Sequence, residues 1–340
     1  MIEILKKLCE STGVSGAEDS ACEAARELLS EYAADAVTDR FGCVSAHIGN
    51  DSRKPTVMLE AHIDEIGFIV TYIDKDGFLR IGSCGGTDRR LYAAQTVTVH
   101  TAGGDINGVI CTLPPHVAED GTKAMKLADT AVDIGYTSRE AAEKVVSPGD
   151  RITIDTPLEK LCGTRVTAKA IDDRAGVAAV LYALKLVKGK ELPYNIEVLF
   201  ASQEEVGSRG AVISAFRSRA DKALVTDVSF ALTPDDKKHE CGVMGKGAMI
   251  GISPVLDKTV TDELKRLAKE QDIPCQYEVM GRSTGTDADD ISLAHGGIPT
   301  GLISVPIKYM HTPVEIVDTE DIKAVGRLMA SFVSGGERDV

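Results

Sequence analysis

Histidine and carboxylate side chains follow four predicted strands of this 340-residue chain, at or shortly after the residue where each strand ends. They are His62 and Asp64 after Thr56–Glu60, Glu204 and Glu205 after Ile196–Ser202, Asp227 after Lys222–Thr226, and His311 after Gly301–Val305. A further acidic pair, Asp172-Asp173, opens a predicted helix. Because ligands of open α/β sheets bind beyond the carboxyl ends of the strands, we expect these side chains to converge on one rim.

A mixture of imidazole and carboxylate ligands suits zinc, cobalt or manganese, and the lack of a thiolate argues against a structural zinc site. Two histidines and at least four carboxylates are more than one tetrahedral ion requires. Without cations, packed carboxylates repel one another by roughly 4 kcal/mol per pair at 4 Å, for an effective dielectric constant near 20. Two divalent ions would remove that repulsion.

Each motif taken alone also fits a structural role. A histidine after a strand is often a hydrogen-bonded structural residue, and an adjacent glutamate pair often lies on a solvated face. Asp172-Asp173-Arg174 has the composition of a helix N-cap with a salt bridge. The metal-site hypothesis depends on the joint pattern, in which several such groups each follow a buried strand.

The elements that must position these groups alternate between strands and long helices. Helices are predicted at Arg174–Val187, Ser208–Arg217, Lys258–Gln271, Asp287–Ala294 and Thr319–Phe332. This pattern is typical of an α/β sheet covered on both faces. From Gly67 to Cys162, short apolar runs alternate with turn residues and predict a small all-β barrel or sandwich. We therefore expect a discontinuous α/β domain, residues 1–66 plus 163–340, interrupted by a β domain at 67–162.

Composition excludes several classes of partner. The chain has 52 Asp plus Glu against 38 Lys plus Arg, a formal net charge of -14, which disfavours nucleic acid and anionic membranes. Eight scattered cysteines without a CxxC pair predict reduced thiols in a cytoplasmic protein. The N-terminus lacks the apolar run of a signal peptide, and no stretch is long enough for a membrane span. Tryptophan is absent, which disfavours a stacking surface for sugars or bases.

Several motifs resemble one known family. They are Ala61-His62-Ile63-Asp64-Glu65-Ile66-Gly67-Phe68, Lys169-Ala170-Ile171-Asp172-Asp173-Arg174, Glu204-Glu205-Val206-Gly207, Tyr309-Met310-His311-Thr312-Pro313 and, in the insert, Gly85-Gly86-Thr87-Asp88. Together they resemble the tetrahedral aminopeptidases, a family of co-catalytic zinc exopeptidases that includes glutamyl aminopeptidases and proteins often labelled endoglucanases. The resemblance covers nearly the whole chain. It implies a three-layer α/β/α catalytic domain with an inserted small, PDZ-like β-barrel.

The resemblance also implies two divalent ions per subunit, zinc or cobalt, with manganese as an alternative. Asp172 would bridge both ions. His62 and Asp227 would complete the protein ligands of one, and Glu205 and His311 those of the other. The expected substrates are short peptides with a free N-terminus.

Glu204 would act as the general base, and Asp64 would accept a hydrogen bond that orients the His62 ring. The family resemblance further implies a cis peptide bond between Asp172 and Asp173. The loop 281–287 matches a family loop near the substrate pocket. Arg282 within it, or Lys308, would attract an acidic substrate residue, although both also fit as ordinary surface cations.

The family's small β domain mediates dimerisation, and six dimers form a hollow tetrahedral dodecamer in well-known members. The resemblance therefore implies a homo-oligomer. Thr112–Asp129 would be a mobile loop near a neighbouring subunit's site, with His116 serving there or as a solvent-exposed residue.

Three other functions compete with the aminopeptidase hypothesis. A deacylase, N-acyl deblocking enzyme or carboxypeptidase would use the same metal pair on a different substrate. Glycoside hydrolysis needs two carboxylates and normally no metal, so chelator-sensitive activity would exclude it. A scaffold that retained the fold after losing activity is disfavoured by the complete ligand set.

Overall fold

The computed structural model describes residues 1–112, 126–234 and 236–336, and within them the strands form one eleven-stranded sheet and one closed barrel. The strands are β1 (Val37–Thr38), β2 (Val44–Ile48), β3 (Thr56–His62), β4 (Gly67–Ile73), β5 (Leu79–Cys84), β6 (Thr96–Thr101), β7 (Gly104–Ile110), β8 (Ala131–Asp133), β9 (Arg151–Ile154), β10 (Glu159–Lys160), β11 (Arg165–Ala168), β12 (Asn195–Ala201), β13 (Lys222–Phe230), β14 (Ala248–Ile252), β15 (Cys275–Val279), β16 (Thr300–Lys308) and β17 (Glu315–Asp318). The helices are α1 (Ile2–Glu10), α2 (Asp19–Ser30), α3 (Arg139–Ala142), α4 (Ile171–Val187), α5 (Arg209–Arg217), α6 (Lys258–Glu270), α7 (Ala288–Ile291) and α8 (Thr319–Val333). Short 3-10 turns cover Arg89–Leu91, Leu127–Asp129 and Ala294–Gly296.

Four parallel strands form the centre of the large sheet, in the order β12-β3-β13-β16. Their register places Ala201 beside His62, and Asp227 beside Ser304. The antiparallel strands β2, β14 and β17 flank this centre. Since the four central strands run the same way, their carboxyl ends share one rim, as the sequence pattern predicts.

Helices cover both faces of the sheet. Strand β3 is buried from Val57 to His62, so its apolar residues alternate between two cores. Val57 and Leu59 belong to the core formed with α1, α2, α4, α6 and α8, whereas Met58 belongs to the core formed with α5 and α7. The predicted α/β class, with layers on both faces, is confirmed.

The inserted segment forms a barrel whose strands close in the order β4-β5-β8-β7-β6-β9. Its core includes Phe68 and Tyr92, whose rings meet edge to face at 5.0 Å. The barrel strands begin at Gly67 and end at Ile154, and β10 already pairs with β11 of the large sheet. The predicted small β-barrel is confirmed, whereas the domain division at residues 67 and 162 stays a prediction.

Three predicted elements were wrong in extent. Strands β13 and β16 continue past the predicted ends because they pair with each other as far as Phe230 and Ile307. The predicted helix Asp287–Ala294 is only the four-residue α7, followed by a turn in which His295 has a φ of 51°. Helix α3 was not predicted, since four residues are too few for a helical period to show.

Arg174, a fully buried side chain, ties the start of α4 to the loop after β3 and to α1. Its Nε donates to the Ile63 carbonyl at 2.7 Å, and Nη1 donates to the carbonyls of Leu8 and, at 3.1 Å, Ser11. Its Nη2 lies 3.7 Å from Glu65 Oε1. A buried guanidinium with these partners fixes the approach of two segments that bear candidate site residues.

Replacing Arg174 by Met removes these hydrogen bonds and leaves buried carbonyls without a donor. We expect the free energy of unfolding to fall by about 3 kcal/mol. Urea unfolding followed by circular dichroism measures it. Arg26, a partly exposed residue that pairs with Glu23 in α2, supplies the control Arg26→Met, which we expect to leave stability unchanged. Equal stability of the two variants would contradict this account.

Candidate active site

Asp172 lies at the centre of the predicted cluster, with one histidine facing each carboxylate oxygen. His62 Nε2, at the end of β3, is 3.0 Å from Asp172 Oδ1 and 3.8 Å from Asp227 Oδ1. His311 Nε2 is 3.3 Å from Asp172 Oδ2 and 3.5 Å from Glu205 Oε1. The five residues predicted as ligands therefore meet on the rim, although they span residues 62 to 311 of the chain.

The peptide bond between Asp172 and Asp173 is cis, which confirms the prediction. Asp172 itself has extended backbone, so α4 becomes regular only after Asp173. The N-cap interpretation holds for Asp173, whose Oδ1 accepts a hydrogen bond from the Gly176 amide at 3.0 Å where the regular helix begins.

Asp64 organises the loop that carries the two glutamates. Its Oδ1 accepts a hydrogen bond from the Glu204 amide at 2.9 Å. Its Oδ2 accepts from the Glu205 amide at 3.3 Å and from Ser15 Oγ at 2.6 Å. The His62 Nδ1 atom is 3.5 Å from Asp64 Oδ1. Asp64 thus fixes the backbone of the Glu204-Glu205 pair as well as lying beside the His62 ring.

Glu315, at the start of β17, was not predicted as a site residue. Its side chain is fully buried, with Oε1 accepting from the His311 amide at 2.9 Å and Oε2 from the Asp172 amide at 3.0 Å. One carboxylate therefore holds the backbone of two candidate ligands that lie on separate segments. The sequence signal available was a lone acidic residue at the start of an apolar strand, four residues after His311.

Two further acidic side chains that were not predicted as site residues lie buried beneath the rim. Glu60, two residues before His62, is 0% exposed, and Asp287, just before α7, is 2% exposed. Burial raises the pKa of both groups, that of Asp287 to about 6, and the neighbouring Asp287 adds to the rise at Glu60. They increase the density of carboxyl groups around one histidine.

The carboxyl groups of the cluster are hard to ionise together. Burial raises the pKa of Glu205 and of Asp227 well above the ordinary range, and the Asp172 carboxylate adds to both rises. Burial also raises the pKa of Glu204 to about 7, with neighbouring carboxylates adding and His62 opposing. A divalent cation at the rim would stabilise the ionised forms and lower these pKa values.

The pKa values of the two histidines are raised as well, but for an imidazole this favours the charged form. Burial lowers the pKa of His62, but Asp172 and Asp64 outweigh burial, so that it lies well above the ordinary value. Asp172 likewise raises the pKa of His311. For Asp172, burial raises the pKa, but the two imidazoles outweigh it and hold it below the ordinary value. The protonated imidazoles of His62 and His311 thus lie where a positive charge stabilises the Asp172 carboxylate.

The donor set fits a divalent cation. In a tetrahedral site with bonds near 2.0 Å, neighbouring ligand atoms lie about 3.3 Å apart. The separations from His62 to Asp172 and from His311 to Asp172 and Glu205 are 3.0, 3.3 and 3.5 Å. Ligand atoms of His62, Asp172 and Glu205 all lie within 4.8 Å of one another. Nitrogen and oxygen donors at these distances suit zinc, cobalt or manganese.

The inserted barrel closes one side of the site. The loop after β5 brings Gly85 against Glu205 and Gly86 against His311. A Cβ atom at residue 85 would lie 3.0 Å from Glu205 Oε2, and one at residue 86 would lie 3.0 Å from His311 Nδ1. Gly85 also has a φ of 75°, which side chains rarely adopt. Beside these residues the rim opens into a cavity of about 370 Å³ that Glu204 also lines.

Comparison with known proteins identifies the family. Residues 42–328 match the model of the M42 glutamyl aminopeptidases. The chain belongs to the M42 glutamyl aminopeptidase family. The lysyl aminopeptidase of Pyrococcus furiosus is 34% identical to this M42 chain over 325 residues, which cover 94% of this chain and 93% of that protein.

Solved structures agree with this assignment. An aminopeptidase from Desulfurococcus kamchatkensis superposes with a TM-score of 0.92 at 34% identity, covering 98% of this chain and 94% of that one. The TET1 peptidase of Pyrococcus horikoshii superposes with a TM-score of 0.86 at 31% identity, covering 98% of both chains. The resemblance expected from the motifs is thereby confirmed, and the M42 chain is a hydrolase that acts as a peptidase.

Some predictions about this M42 peptidase lie beyond these observations. His116, with most of the loop Thr112–Asp129, falls outside the described residues. None of the helices in the described part of the chain combines the length and apolarity needed to cross a membrane. The cytoplasmic location stays a prediction.

Glu315→Ala removes the acceptor for both ligand-bearing amides, so the affinity for a divalent cation should fall about 10–100-fold. Glu315→Gln retains one acceptor oxygen and should fall between Ala and wild type. Competition with a chromophoric chelator measures the affinity. Glu320→Ala, at an exposed residue of α8 that pairs with Lys323, is the control. Equal affinity in the Glu315 and Glu320 variants would show that Glu315 does not position the ligands.

Proposed function

We propose that the chain is a dinuclear metal-dependent aminopeptidase that hydrolyses the N-terminal residue of short peptides. The observation that carries the proposal is the placement of Asp172, whose two carboxylate oxygens face different histidines at 3.0 and 3.3 Å. A carboxylate in that position suits a bridge between two cations. Membership of the M42 family supports peptide hydrolysis at the N-terminus.

The ligands divide into two groups that share Asp172. His62 and Asp227 would hold one ion, and His311 and Glu205 the other, with zinc or cobalt most suitable and manganese an alternative. When bound, such ions polarise the scissile carbonyl and lower the pKa of water.

Glu204 is the candidate general base. It lines the cavity, adjoins the ligand Glu205 and has its amide fixed by Asp64. In the proposed reaction its carboxylate takes a proton from the attacking water and later gives it to the leaving amine. The Asp64 carboxylate keeps the Glu204-Glu205 loop in place during both transfers, and it lies beside the His62 ring.

We further propose that the chain forms a homo-oligomer in which the inserted β domain, residues 67–162, mediates dimerisation. The TET1 peptidase of Pyrococcus horikoshii assembles into a tetrahedron or a large octahedral shell, and this chain matches 98% of it. Dimers that assemble into a tetrahedral dodecamer are therefore the proposed arrangement. The relatives leave the preferred N-terminal residue open, since one is named lysyl and the family glutamyl.

Stripping the metal with a chelator should abolish cleavage of short free-amine peptides, and adding back zinc or cobalt should restore it. N-acetylated versions of the same peptides should remain intact. Released N-terminal residues are quantified by chromatography. Cleavage of the acetylated peptides would instead indicate the alternative, a deacylase or N-acyl deblocking hydrolase on the same metal pair.

The substitution Glu204→Gln tests the proton-transfer role of this residue. The amide cannot accept the proton, so turnover should fall at least about 100-fold while the metal content matches that of wild type. Full activity in this variant would remove Glu204 from the mechanism. Lost metal would show that the residue is a ligand.

A further inference from the structure

Glu278, on β15, is a carboxylate in the active-site cavity that has no place in the reaction proposed above. Its Oε1 accepts a hydrogen bond from Ser229 Oγ, and its Oε2 accepts from Ser304 Oγ at 3.1 Å. Two serine hydroxyls thus fix both oxygens. The group is held in one orientation without a counter-charge among these partners.

The strand register places this carboxylate close to the candidate ligands. Ser304 in β16 lies directly beside Asp227 in β13, so the two side chains share one face of the sheet. Ser229 is two residues further along β13 and projects from the same face, about 7 Å from Asp227 along the strand. Glu278 binds both serines and therefore lies on the ligand side of the sheet, one step further into the cavity.

The charges of the residues that line the cavity favour binding of a cationic side chain. Within the described residues, neither lysine nor arginine lines it. Two divalent ions would balance the four carboxylates of Asp172, Glu204, Glu205 and Asp227. Glu278 lies outside that group, and the hydroxyls that bind its two oxygens are uncharged. Burial raises its pKa, and a cation beside it would lower that pKa again.

We propose that Glu278 binds the charged end of a lysine or arginine side chain at the substrate's N-terminus, and so makes basic residues the preferred ones. The inference rests on the proposed aminopeptidase function, because the substrate's α-amine and scissile carbonyl must lie at the ligand cluster. The side chain of the N-terminal residue then points along β13 toward the two serines. An acidic side chain would instead be repelled by the Glu278 carboxylate.

The cations that would favour an acidic substrate do not reach this place. Neither Arg282 nor Lys308 is among the cavity-lining residues, and Arg282 is exposed, with its carbonyl accepting from Ser253 Oγ. Preference for an N-terminal glutamate therefore has no support in the described part of the cavity.

The test compares kcat/KM for the p-nitroanilides of lysine, arginine, leucine and glutamate in wild type and Glu278→Gln, both restored with metal. Wild type should prefer lysine and arginine. The variant should lose about 10–100-fold on these two, chiefly through KM, and change less than about threefold on leucine. Glu197→Gln is the matched control and should leave all four activities unchanged. Glu197 also accepts a hydrogen bond from a serine, Ser218 Oγ at 2.7 Å, but it lies near the amino end of β12, away from the rim that carries the candidate ligands.

A binding measurement separates this inference from the proposed function. Calorimetry on the metal-loaded protein compares L-lysinamide with L-norleucinamide, which lacks the side-chain ammonium. Wild type should bind lysinamide at least about tenfold more tightly, and Glu278→Gln should lose the difference. No difference in wild type, a preference for glutamate, or an equal loss on every substrate in the variant would overturn the inference. Tight lysinamide binding without turnover would overturn only the aminopeptidase proposal.

Discussion

The structure of the site depends on the Asp172 carboxylate, which lies between two histidines. Asp172 presents Oδ1 to His62 and Oδ2 to His311, while its amide is held by Glu315. To reach that position, α4 must begin after an irregular turn, and β3 and β16 must end at the same rim. A shift of any of these elements would separate the ligand atoms beyond the few ångströms that one cation can span.

Carboxylates perform two different tasks around this centre. Asp64 and Glu315 are fully or almost fully buried and accept backbone N–H groups, so they fix the loops that carry Glu204, Glu205 and His311. At the rim, Glu204, Glu205 and Asp227 lie close to one another and to Asp172, so burial and mutual charge raise the pKa values of these three groups. Carboxylates that accept hydrogen bonds from backbone amides thus surround a group of carboxylates whose negative charge bound cations would balance.

The rim residues were predictable because each lies at a position that sequence alone reveals. His62 and Asp227 come at the ends of apolar runs, and parallel strands bring such ends together. The strand lengths were less predictable, since β13 continues past the charged Asp227 through pairing with β16. That pairing joins two strands that lie far apart in the sequence, so it becomes visible only in the structure.

Glu315 and Glu278 could not be assigned from the pattern. Glu315 acts through the backbone amides of Asp172 and His311, which lie far apart in the sequence and come together only in the fold. Glu278 enters the cavity because β15 pairs with β14 and thereby reaches two serines on β13 and β16. In both cases the meaning of an acidic residue depends on its partners in space, which neither its type nor its spacing encodes.

The proposed site requires Asp172 to bind two cations at once. Metal content per chain is measured by plasma emission spectroscopy after equilibration with zinc and removal of excess. We expect two equivalents in wild type and at most one in Asp172→Asn, because the amide offers only one acceptor oxygen in place of two anionic ones. A single equivalent in wild type, or two equivalents retained by Asp172→Asn in a folded protein, would contradict it.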